Sequence, residues 1–103
     1  QALVLAPLFA NAMVVRLNIN AIPITFSSIS VPLVSLSTGG KFVIIFHHNG
    51  GVAQIEEGAW SSDIKFESPE DALLSGAVGW TDVYEGLVQA DGTALMSVRR
   101  YPS

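Results

Sequence analysis

At 103 residues the chain has the length of one domain, which excludes a catalytic cleft between two domains. Half of the residues are hydrophobic and only 14% are charged, the reverse of the composition that keeps a chain disordered. The absence of cysteine removes disulfides, thiolate nucleophiles and zinc ribbons, and a net charge of -4 offers no cationic track for the phosphates of a nucleic acid.

Residues 2–12 (ALVLAPLFANA) resemble a secretory h-region with an A-x-A end, but no basic segment precedes them and Pro7 interrupts the run. They read as part of the domain. The chain lacks an initiator Met and opens on apolar residues, the pattern of a piece excised from a longer polypeptide. No run approaches the ~18 apolar residues that a membrane-spanning helix needs, because Arg16, Asn18 and Asn20 alternate with Val15, Leu17 and Ile19. That alternation predicts a strand over residues 13–20. Ile22, Ile24 and Phe26 repeat the alternation with inverted parity, which calls for a bulge or turn near Asn20 and Ala21. Ile29, Val31 and Leu33 form a further candidate strand. Pro23 and Pro32, which cannot donate to a ladder, argue for edge positions over residues 22–36.

After a turn at residues 37–40, residues 41–48 (KFVIIFHH) are apolar on both faces and predict a central, doubly covered strand. Asn49-Gly50 predicts a two-residue hairpin that sets Ile44 opposite Ile55 and Phe46 opposite Ala53. Ile64 and Phe66 mark a strand with one wet face. Ser68, Pro69, Glu70 and Asp71 have the order of a helix start, giving a short helix over residues 69–75 that Gly76 ends. Asp91-Gly92 predicts a second tight hairpin, with Val88 opposite Leu95, Leu87 opposite Met96, and Tyr84 opposite Arg99 as a cation-π pair. The whole predicts an all-β, antiparallel β-sandwich of jelly-roll-like or immunoglobulin-like connection, one domain over residues 1–103.

Charge is divided along the chain. Residues 1–55 hold no acid and carry Arg16 and Lys41, whereas residues 56–103 hold all nine acids against Lys65, Arg99 and Arg100. Glu56, Glu57 and Asp63 are the calcium candidates, although no D-x-[DN]-x-[DN]-G loop occurs. Adjacent His47 and His48 point to opposite faces of an extended strand and cannot grip one metal together. Eleven serines and two histidines supply the parts of a hydrolytic site, but no G-x-S-x-G elbow is present. Trp60 and Trp80 follow glycine-containing turns, where an indole can stack on a sugar or anchor a protein.

A chain this apolar, burying only about two thirds of its surface, leaves greasy surface that needs a cover. The leading expectation is a non-enzymatic structural module that self-associates or packs on its parent chain, as the protruding domain of a viral coat protein does. The compartment is left open by the sequence, and this reading favours the outside of the cell or a virion surface. Its expected contact residues are Trp60, Trp80, Tyr84, Arg99 and Arg100, together with the strands over residues 22–36. A glycan- or ligand-binding module using the tryptophans with calcium is the alternative, and a small hydrolase using His48 with a carboxylate is the third reading.

Overall fold

The computed structural model describes residues 1–5, 14–20, 23–33, 36 and 38–102. Its β-strands are arranged in several sheets, and the fold is all-β. The largest sheet has five strands, β2 (Val14–Asn18), β5 (Lys41–His47), β8 (Thr81–Val88), β9 (Ala94–Tyr101) and β7 (Ile64–Phe66), side by side in that order. β5–β8 and β8–β9 are antiparallel, whereas the outer pairs β2–β5 and β7–β9 are parallel. Strand periodicity sorts the side chains. Phe42, Ile44, Phe46, Tyr84, Val88, Ala94 and Met96 turn inward and are buried, while the residues between them turn outward. β5 is central, as KFVIIFH predicts, but Val43, Ile45 and His47 on its outer side are only half-buried, so the expected double cover is absent among the described residues.

Two parallel pairs lie on the inner side: β1 (Ala2–Val4) with β4 (Ser28–Ser30), and β3 (Ile24–Phe26) with β6 (Ala53–Ile55). β3 and β4 are separated only by Ser27, whose amide donates to the Gln1 carbonyl, and Ile29 continues the ladder to Trp60. Residues 24–30 are therefore paired on both sides. The edge placement that the prolines suggested is corrected: Pro23 precedes β3 and Pro32 follows β4, so both sit at strand ends where the missing donor costs nothing. Ala21 and Ile22 of the predicted bulge lie outside the described residues, as does Met13 of the first predicted strand. Phe26 meets Phe46 at 6.3 Å between ring centroids, and Trp60 meets both Tyr84 and Phe66 at 5.3 Å, so aromatic rings join the inner pairs to the large sheet in one core.

The hairpin predicted at Asn49-Gly50 does not form. Both edges of β5 are already taken, one by β2 and one by β8, and β6 pairs instead with β3 across the core. The sequence offset in that pairing, Ile24 with Ala53, repeats that of β2 with β5, Val14 with Val43: each partner lies 29 positions on. The two limbs thus leave the large sheet together as one parallel ribbon. At the bend the Asn49 side-chain amide donates to the Asn20 side-chain oxygen at 3.0 Å, and the Gly51 amide donates to the Ile19 carbonyl.

The second hairpin forms with a different register. Val88 faces Ala94, Leu87 faces Leu95 and Tyr84 faces Val98, one residue from the expected pairing. Instead of a two-residue turn, the loop spans residues 90–92 with Gly92 at φ 86°, and the Asp91 carboxylate accepts the Thr93 amide and hydroxyl. A three-residue loop ending on a left-handed glycine adds one residue to the turn and reverses the face of every β9 side chain relative to a tight turn.

The predicted helix is a single 3-10 turn, Pro69–Ala72, that stops at extended Leu73 and not at Ser75. The Ser68 hydroxyl bonds the Glu70 carboxylate and caps no amide. Among the described residues no helix is long and apolar enough to cross a membrane.

Gly86 shows how tightly the inner face is filled: a Cβ there would overlap the Phe42 ring and stand 2.8 Å from Met96 Sδ. Gly86→Ala is expected to lower stability by about 1–3 kcal/mol, read as a lower urea midpoint at unchanged slope.

Candidate functional site

The inner face ends in a polar cluster. Asp82 is wholly buried and its Oδ2 accepts the Ser75 amide at 2.8 Å. Arg100, directly across from Asp82 on β9, donates through Nη2 to the carbonyls of Leu73 and Glu70. The Tyr84 hydroxyl donates to the same Leu73 carbonyl at 2.9 Å, and the Trp60 indole N–H donates to the Ala72 carbonyl at 2.9 Å. Residues 70–75 have little regular structure of their own, so their backbone groups are satisfied by side chains from strands far away in sequence. Three expected contact residues, Trp60, Tyr84 and Arg100, are thereby placed as anchors of this segment.

Their surroundings differ from the expectation in specific ways. Trp60 is 8% exposed with its rings against Phe66 and Tyr84, so its indole face is not open to a sugar. Trp80 is half-buried, and its carbonyl accepts both the amide and Nδ1 of His48. Arg99 turns outward and pairs in register with Val83, so it does not lie over Tyr84; the nearby cation of that ring's environment is Arg100. The register of the loop at residues 90–92 is the cause.

His48 is fully buried and donates from Nδ1 to the Trp80 carbonyl at 3.2 Å. Its Nε2, together with Ser75 Oγ, Asp82 Oδ1 and Arg100 Nη1, is buried without a hydrogen-bond partner. Among the described residues no hydrogen bond links His48 to a serine or a carboxylate. His47 points to the other face and bonds Thr81 Oγ1 at 2.8 Å. Glu56 and Glu57 are exposed beyond β6 and Asp63 is exposed before β7; among the described residues no three His, Cys, Asp or Glu side chains come together as a metal site. Glu56, Glu57 and Glu70 instead line, together with Ala72 and Leu73, a hollow of about 390 Å³. The Ser68 hydroxyl holds the Glu70 carboxyl below the usual range.

The outer face of the large sheet carries a different chemistry. Across its strands Lys41, Leu87, Leu95 and Lys65 lie in one row, Val14, Val43, Glu85 and Ser97 in the next, and Arg16, Ile45, Val83 and Arg99 in a third. Every one of these residues is exposed or half-buried. Four of the five basic residues of the chain stand on this face, against Glu85 alone among its strand residues; Lys41 and Glu85 approach to 3.5 Å. Arg16 is outward by its alternation in the sequence. The gathering of the four charges was hidden because they come from four strands whose order and register no local pattern records.

Comparison with known proteins finds no matching family model, no matching curated protein and no matching solved structure.

Burial pushes the Tyr84 phenol well above the ordinary tyrosine range; Arg100 opposes this, and Asp82 and Asp71 add to it. Folded Tyr84 keeps its proton where the unfolded chain releases it, so this contribution is complete below pH 10 and is lost as pH rises above that value. Tyr84→Phe is expected to lose about 1 kcal/mol at neutral pH with its hydrogen bond. Its stability, followed by urea unfolding, is expected to fall less steeply than that of the wild type above pH 10.

Proposed function

We propose that this chain is a non-enzymatic structural module, a β-sandwich that self-associates through the outer face of its large sheet, as a surface domain of a viral coat or another multi-subunit shell would. The observation that carries this reading is the outward pair Leu87 and Leu95, directly opposite each other and 38% and 48% exposed, on a face that also exposes Val14 at 55% and Tyr101 at 51%. Strands about 4.8 Å apart and a rise of about 3.4 Å per residue make this face roughly 500 Å² in projection. Its apolar part is smaller, because Arg16, Lys41, Lys65, Arg99 and Glu85 stand among the exposed apolar groups, and an interface between separately folded chains is likewise mixed, about as apolar as ordinary surface.

Covering the four exposed side chains contributes on the order of 1 kcal/mol each. Association costs roughly 4 kcal/mol or more in lost translation and rotation. One such contact is weak, and a lattice in which each subunit makes several is the setting in which it holds. The burial of Trp60, 8% exposed, and of the His48 ring makes the glycan and hydrolase alternatives less favoured than self-association.

Light scattering over a concentration series tests the proposal. The wild-type chain is expected to grow in weight-average mass, whereas Leu87→Ser with Leu95→Ser stays monomeric at an unchanged melting temperature. A wild-type chain that remains monomeric throughout, or a double variant that grows equally, overturns it.

A further inference from the structure

The sheet face carries more information than its apolar area, because its charge restricts what can cover it. Arg16, Lys41, Lys65 and Arg99 against Glu85 give its strand residues +3, in a chain of net -4. The remainder of the molecule therefore carries -7. Two copies stacked with this face against itself would bring eight basic side chains together in a water-poor contact, and like charges so placed cost several kcal/mol. The opposite side of the core presents the complement. Glu56, Glu57 and Glu70 line the hollow of about 390 Å³ together with Leu73, which is 43% exposed. Glu56 and Glu57 follow β6 in the inner layer, and residues 70–75 are tied down by the inward side chains Tyr84, Arg100 and Trp60, so the hollow and the basic face lie on opposite sides of the core.

We infer that the occupant of the basic sheet face is the acid-rimmed hollow of a second copy of this chain, so that association is head-to-tail. This rests on the proposed self-association and specifies its geometry. Each copy offers one donor surface and one acceptor surface on different sides, so the contact does not saturate at a dimer. It continues into a ring when the rotation between neighbours closes and into an open filament when it does not. Apolar groups, Leu87 and Leu95 on one side and Ala72 and Leu73 on the other, provide the attraction at short range, while the rims of opposite charge fix which surface meets which.

Charge exchange tests the geometry separately from self-association itself. Sedimentation velocity is run on the wild type, on a face variant with Arg16→Glu and Arg99→Glu, and on a hollow variant with Glu56→Lys and Glu57→Lys. All four positions are exposed, and circular dichroism melting confirms that both variants fold. The wild-type oligomers are expected to dissociate as salt rises from about 0.1 M to about 1 M, over which the screening length falls from about 10 Å to about 3 Å. Each variant alone is expected to associate at least about tenfold more weakly, a difference of about 1.4 kcal/mol. Their equimolar mixture is expected to recover association, because the acidic hollow of the face variant fits the basic face of the hollow variant and the reversed pair also matches. A hollow variant that associates as tightly as the wild type, or a mixture no tighter than its parts, overturns the head-to-tail contact and leaves self-association standing. A monomeric wild type removes both.

Discussion

What β9 presents on the outside of the large sheet, and what it sends into the core, depends on how many residues turn the chain between β8 and β9. With the loop at residues 90–92 and Gly92 in the left-handed region, Ala94 and Met96 enter the core while Leu95 and Arg99 leave it. A two-residue turn would exchange these sets. It would put Leu95 and Arg99 inside and expose Met96 and Arg100, and the bonds from Arg100 to the Leu73 and Glu70 carbonyls would be lost. The loop is held by short local bonds from the Asp91 carboxylate to Thr93 and from the Gly92 amide to the Gln89 carbonyl. A few polar contacts at a hairpin tip thus decide which chemistry faces the solvent and which faces the core.

The inner side obeys a complementary constraint. Residues 70–75 make one short turn and then run irregularly over the core, where unpaired carbonyls are costly. Trp60, Tyr84 and Arg100 donate to those carbonyls and Asp82 accepts an amide, so four residues on three strands or bridges define the path of a segment that cannot define its own. Large polar-tipped residues are suited to this because each contributes an apolar body to the core and one donor at its end. Glu70, Ala72 and Leu73 of the same segment line the hollow, so the shape of the hollow and the satisfaction of buried polar groups are coupled there.

Much of this was legible in the residues and some was not, for identifiable reasons. Alternation placed Val15, Arg16, Ile64 and Lys65 on their correct sides, and the apolar run of KFVIIFH marked the central strand, because burial repeats with the strand period. Asn49-Gly50 and Asp91-Gly92 both signal a reversal of the chain, but a dipeptide does not state whether its loop has two residues or three, nor which strand the chain joins afterwards. Parallel pairing across 29 positions leaves no local trace at all. The helix expected at Ser68 rested on sound end signals, yet one turn without an apolar stripe has too little to gain from continuing, and side chains elsewhere bid for its carbonyls. Tyr84 lies opposite Val98 in place of Arg99 because the loop has three residues, and the enclosure of Trp60 has no local signal, since an aromatic ring's exposure is settled by the other layer.

The ribbon made by β2–β3 and β5–β6 bears on how the chain reaches this state. Neither limb can form as an isolated hairpin: each ladder closes a loop of about 29 residues before its first bond forms, and two limbs joined at the Asn20–Asn49 bend must close in the same register. Among the strand pairs of the described residues, only β8 and β9 are near neighbours in sequence. Acquisition of structure should begin at that one local hairpin and wait on a rare long-range encounter, which places the molecule among slow folders and lengthens the time during which its greasy strands stand unpaired. A chain in which half of the residues are hydrophobic is then most vulnerable to wrong partners early in its life, while its strands still lack their neighbours.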